Sequence, residues 1–130
     1  MGLDNGIVLE TNSYVNYPFW VKFFDYSKES IEVCYWRKCW GIRNDIISVF
    51  EDRPDFKETY QYKVYLEDMD RILYVLRYYM NASNWKVYGH SIFTYKEYWK
   101  HLLQQYINCH WLKRYMKRNP KAEVYFYDCY

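Results

Sequence analysis

Eighteen tyrosines, seven phenylalanines and six tryptophans in 130 residues constrain this chain more than any other feature. One aromatic side chain buries about 150–250 Å², whereas a chain of this length hides only about two-thirds of its unfolded surface. So many rings exceed what one core holds, and several are expected to stand half exposed with their hydroxyls in water. Exposed Tyr and Trp beside Arg make up the chemistry of an interaction surface. The composition therefore points to a binder and leaves the ligand open.

The length predicts a single domain spanning residues 1–130. Apolar residues at 51% and charged ones at 26% suit a packed globular fold, and scarce Pro, Gly and Ser argue against disorder. No apolar run approaches the length of a membrane span. The first ten residues carry Asp4 and Glu10 but no Lys or Arg, unlike a secretory signal. A cytoplasmic location is expected, with Cys34, Cys39, Cys109 and Cys129 as reduced thiols. Cys34, Cys39, Cys109 and His110 lack the knuckle spacing of a zinc site, so neither metal nor cofactor is expected.

Charge is uneven. Residues 1–65 hold eight basic and ten acidic side chains, while residues 66–130 hold ten basic and six acidic. Between positions 96 and 121, seven Lys or Arg face Glu97 alone.

Local patterning predicts an α+β fold, a small sheet with three helices packed on one face. Gly6–Glu10 and the alternating Glu123–Tyr130 segment read as strands, Tyr62–Leu66 as a short one, and Phe19–Phe24 as a strand or packed loop. Trp36, Trp40, Ile47 and Phe50 recur at helical spacing, with Gly41 marking a close neighbour and Pro54 a stop. Met69, Ile72, Leu73, Leu76, Tyr79 and Met80 form the stripe of a second helix, with Asn81–Asn84 ending it. Thr94 and Glu97 form a capping box for a third helix, stapled by Phe93 and Tyr98. Its stripe is read as Tyr95, Trp99, Leu102, Leu103 and Tyr106, opposite a polar face of Glu97, Lys100, His101, Gln104 and Asn108. After Cys109 the phase slips, and Trp111 and Tyr115 are expected on the polar side.

Met1-Gly-Leu-Asp4 and Glu32-Val-Cys-Tyr-Trp-Arg-Lys38, the second read as opening a helix, occur with a long helix from Tyr95 and a Tyr-rich terminal strand. In this combination the chain resembles a family of small proteins encoded by tailed bacteriophages and prophages. It departs from that pattern at Cys39-Trp-Gly-Ile-Arg43 and in its longer basic helix end. The resemblance implies an origin and a fold, with no assigned activity. By similarity Asp4 and Arg37 match the motifs, and they are expected to form a structural ion pair tying the N-terminal segment to the first helix. A small-anion site of Asp4, Arg37 and Lys38 is the competing reading.

Catalysis needs an activated nucleophile or a tuned acid–base pair. His90, His101 and His110 form no such motif, and Cys109 and His110 diverge by about 100° on a helix. Neither Gly-x-Ser-x-Gly nor a phosphate loop occurs. A non-enzymatic role follows.

The residues left for function are Trp111, Lys113, Arg114, Tyr115, Lys117 and Arg118, where rings and bases interleave, with Tyr125 and Tyr127 on the last strand. They suit a protein partner; the phage-like resemblance implies that this partner is a host protein or complex in the bacterial cytoplasm, a defence protein above all, inhibited or modulated by steric occlusion. The alternative is single-stranded nucleic acid held by the same basic aromatic end. The tyrosines of the last strand also allow edge pairing into a homodimer, against a plain monomer.

Overall fold

The computed structural model describes residues 3–10 and 30–129. Within them, four strands form one antiparallel sheet in the order β2-β1-β4-β3: β1 (Asp4–Glu10), β2 (Ser30–Arg37), β3 (Gln61–Lys63) and β4 (Val124–Cys129). Four helices accompany them: α1 (Trp40–Glu51), α2 (Leu66–Tyr79), α3 (Ala82–Tyr88) and α4 (Tyr95–Arg118). The fold is α+β, with Phe19–Phe24 outside the described residues. Among those residues, no helix is long and apolar enough to cross a membrane.

β3 and β4 alternate as half-buried strands should. Ile7, Leu9, Ile31, Val33, Trp36, Val124 and Phe126 enter the core, joined by Ile46, Phe50, Met69, Ile72, Leu76 and Leu102 from the helices. The rings sort into stacks. Phe50 and Phe56 both lie parallel to Tyr62, at centroid distances of 5.1 and 5.8 Å. Trp85 and Phe93 both stack on Tyr98, at 5.4 and 4.9 Å.

Three expectations are corrected. The segment through Trp36 is strand, and the first helix begins at Trp40. Ile7 pairs with Cys34 but Val8 with Glu32, so β2 carries a bulge. Ile31, Val33, Cys34 and Trp36 are consequently all buried, and the strand loses its period of two. Lys38 then takes a left-handed φ of 53°, which ends the strand. Asp4 and Arg37 stand opposite each other across β1 and β2, so any tie between them joins two strands and not a strand to a helix. The Asp4 carboxylate accepts the Tyr35 hydroxyl at 2.8 Å.

A short helix, α3, is the second correction. Asn81 ends α2, as predicted, but its side chain also accepts from the Ser83 and Asn84 amides and so caps the next helix.

The third concerns α4. Its capping box is present, with Thr94 and Glu97 bonded reciprocally, and Phe93 stacks on Tyr98 as a staple. The buried stripe, however, runs through Tyr98, Leu102, Gln105, Cys109, Leu112 and Met116, with Asn108 and Tyr115 also buried. Trp99 is 38% exposed. The phase holds to the end of the helix. The polar residues serve the free edge of β2: the Arg37 amide donates to the Tyr98 hydroxyl and the Tyr35 amide to Gln105 Oε1. His101 Nε2 lies 2.6 Å from the Tyr35 carbonyl, and Asn108 Nδ2 donates to the Val33 carbonyl. Residues 98, 101, 105 and 108 thus form a side-chain ladder that closes an edge strand otherwise open to pairing. Because the Tyr35 carbonyl can only accept, His101 carries its proton on Nε2.

β4 lies between β1 and β3, so Tyr125 and Tyr127 offer no free edge for the strand pairing read from the sequence. One polar row also crosses the core side. Asn5 of β1 stands between Trp36 and Asp128 in the register. Its amide donates to the buried Asp128 carboxylate at 2.6 Å, and Arg43 of α1 grips the same carboxylate through Nε and Nη2. Asn5 Oδ1 and Trp36 Nε1 are buried without a protein partner among the described residues.

Candidate functional site

The residues singled out at the end of α4 are not all available to a ligand. Tyr115 is 5% exposed and belongs to the core. Trp111 is half-buried against it. Lys113 is ion-paired with Asp70. Arg114, Lys117 and Arg118 remain exposed. On the outer face of the sheet, Tyr127 lies against its cross-strand partner Gly6, where a Cβ would come within 2.5 Å of the ring. Its hydroxyl donates to Glu32 at 2.5 Å, and Tyr125 is half-buried beside it. With Tyr115 in the core, half-buried Trp111 is the ring of the helix end left beside the exposed bases.

A different group of tyrosines does converge. Gly41, Asn44 and Asp45, one face of the first turns of α1, oppose Tyr74, Val75, Tyr78 and Tyr79 of α2. Tyr88 and His90, from the end of α3 and its following turn, complete a cavity of about 460 Å³. Tyr74 and Tyr78, four residues apart, lie outside the core stripe of α2 and share one side of the helix. Tyr74 is 70% exposed and Tyr88 51%. Tyr78 meets Tyr79 edge-on at 5.1 Å and Tyr88 at 6.1 Å.

Two contacts fix this geometry. The Gly41 amide donates to the Gly89 carbonyl at 2.9 Å. A Cβ at Gly41 would lie 2.2 Å from the Tyr88 carbonyl oxygen. The missing side chain lets α1 close on the α3 turn and brings Tyr88 to the rim, as the sequence suggested for a close neighbour at Gly41. His90 holds a left-handed φ of 47°, which reverses the chain just after the rim. At the floor, the buried Tyr79 hydroxyl donates to Asp45 Oδ2 at 2.6 Å.

Asp45 is exposed while Tyr79 is buried, so the carboxylate sits at the water boundary of an aromatic wall. Burial, then the Asp45 carboxylate, pushes the Tyr79 hydroxyl well above the ordinary range. Burial also raises Tyr78, with Tyr88, Asp45 and Tyr74 contributing. None of the cavity's described lining residues is Lys or Arg. Among the described residues, no three His, Cys, Asp or Glu side chains meet in a metal-binding group.

Sequence reasoning missed this site. The available signal was Tyr74 and Tyr78 falling together off the α2 stripe. Asp45 and Tyr88 carried none, because tertiary contacts alone bring them there.

Four phenols elsewhere and here share one linkage. Burial comes first in raising each: Tyr35 to about 12, and Tyr79, Tyr98 and Tyr127 further. The folded state holds these protons more tightly than the unfolded chain, whose phenols titrate near 10. The stability they confer is therefore complete below pH 10 and lost as pH rises through the folded values. The denaturant midpoint is expected to fall between pH 10 and 11.5 with no comparable fall between pH 8 and 9.5. A midpoint flat across the whole range would contradict these environments.

Comparison with known proteins gives no match: no family model, no curated protein and no solved structure aligns significantly with this chain.

Proposed function

We propose that this protein is a non-enzymatic binding module that docks a protein partner through the tyrosine-lined cavity between α1, α2 and the α3 turn. The observation that carries this reading is the cavity itself. Its rim rings Tyr74 and Tyr88 are exposed around one concavity, with Tyr78 and Tyr79 forming the wall behind them. Tyr is enriched at binding hot spots because it offers large, rigid contact area with a polar tip. The phage-like motifs support a partner in a bacterial host, a defence protein above all, and binding would block it by occlusion.

The basic end of α4 is a separate region. Tyr95, at the start of the helix, bonds the Met80 carbonyl beside the end of α2. Arg118 is 23 residues on, about 35 Å along the axis. The two regions can be altered independently. Tagged wild-type protein and two variants would be compared for capture from host lysate. The pair Tyr74→Ser/Tyr88→Ser is expected to lose its specific partner, with affinity falling at least about 30-fold. Arg114→Ser/Lys117→Ser/Arg118→Ser is expected to retain it. The reverse pattern would overturn the proposal. In that case, steeply salt-dependent anisotropy with labelled single strands would favour the nucleic-acid reading.

A further inference from the structure

We infer that the tyrosine cavity is a guanidinium cage, built to accept an arginine side chain of the docked partner. The inference rests on the proposed docking role and names the chemistry of its anchor. The same fold already contains an occupied example. Arg53 lies with Cζ 4.9 Å from the Phe50 ring centroid and 4.7 Å from that of Tyr65. Its Nη2 is ion-paired with the Asp68 carboxylate, and its Nη1 donates to the Lys63 carbonyl. Two ring faces and one carboxylate are the elements that hold that cation.

The cavity repeats them. Tyr78 and Tyr88 supply adjacent rings inclined at 39°. Tyr74 extends the wall by one helical turn. Asp45 supplies the carboxylate, and only its Oδ2 is engaged by Tyr79. An ionised carboxylate has about four lone-pair sites, so donors from a ligand can be added without displacing Tyr79. The described lining holds no Lys or Arg, and its basic side chain is His90 alone, so an incoming guanidinium meets no fixed cation there.

Arginine suits this arrangement better than lysine. Its guanidinium is planar, weakly hydrated and able to stack on a ring while its edge donates to a carboxylate. An ammonium is a compact, strongly hydrated charge without a face to stack. A quaternary ammonium has no N–H for Asp45.

The test uses the whole protein and small probes. N-acetyl-arginine methylamide would be titrated into ¹⁵N-labelled protein, beside its lysine counterpart and the neutral, isosteric citrulline counterpart. Saturable amide shifts are expected around Asp45, Tyr78 and Tyr88 with the arginine probe, weaker ones with lysine and none with citrulline. Asp45→Asn keeps an acceptor for Tyr79 but removes the charge, and should weaken the arginine probe about tenfold. Tyr88→Leu should weaken it severalfold while leaving the remaining spectrum in place. Equal binding of lysine or citrulline, an unchanged affinity in Asp45→Asn, or no shift at these residues would overturn the inference. Loss of partner capture by Tyr74→Ser/Tyr88→Ser with no arginine response would retain the docking role and remove the cage. An arginine response with capture unaffected would do the opposite.

Discussion

Asp128→Ala is expected to destabilise the fold by about 3–5 kcal/mol, the cost of leaving a buried ion pair half dismantled. The Asp128 side chain is 2% exposed and that of Arg43 17%, so the guanidinium left behind regains only part of its hydration. The Asn5 amide, donating to the same carboxylate, would lose its acceptor in the core. Asp128→Asn should recover little, because its amide turns a donor toward Arg43 or Asn5. The pair Asp128→Leu/Arg43→Met should cost less than Asp128→Ala alone, since it removes both charges together. Urea unfolding midpoints measure all three. A loss under 1 kcal/mol in Asp128→Ala would mean that the Arg43–Asp128–Asn5 row does not hold α1 to the sheet.

Gly41→Ala sets two opposing effects against each other, and their magnitudes decide the sign. Helix propensity favours Ala over Gly by about 1 kcal/mol. Against it, the new Cβ would stand 2.2 Å from the Tyr88 carbonyl oxygen and 2.9 Å from that of Gly89, both backbone atoms. It would also stand 2.9 Å from the Tyr79 hydroxyl. Backbone cannot swing aside as a flexible side chain can, and overpacking of this kind costs about 1–3 kcal/mol or more. With both close contacts on backbone the cost falls at the upper end of that range, and a net loss of about 1–2 kcal/mol is expected in thermal or denaturant unfolding. The α3 turn must move, carrying Tyr88 away from Tyr78, so partner capture should weaken beyond what the lost stability explains. A stabilised Gly41→Ala protein would show that α1 and the α3 turn are not in contact.

Elements set by local chemistry were legible from residues alone. The α2 stripe, the Thr94–Glu97 box and the alternating last strand need only near neighbours in sequence. The errors fall where distant segments decide. The bulge in β2 makes Ile31, Val33, Cys34 and Trp36 all buried, and Trp36 with Trp40 then imitates a helical step. His101 and Asn108 look like solvent residues until β2 is placed beside them, for their partners are backbone groups of a strand about 70 positions away. Tyr115 reads as outward on the same mistaken phase. The cavity follows the same rule: Tyr74 and Tyr78 announce a surface on α2, while Asp45 and Tyr88 join it only through the Gly41–Gly89 contact.

Among the described residues many rings are structural, Tyr60 and Trp40 stand exposed elsewhere, and Tyr74 and Tyr88 stand exposed around the cavity, which we propose as the partner's site. Site-directed photo-cross-linking tests that most directly. A photoreactive phenylalanine analogue would be placed in turn at positions 74, 88 and 118, each tested for partner binding, and the cross-linked peptides sequenced. Positions 74 and 88 are expected to trap one partner at a single segment containing an arginine, with position 118 trapping nothing specific. Cross-links to a specific partner from position 118 alone, with none from 74 or 88, would contradict the account.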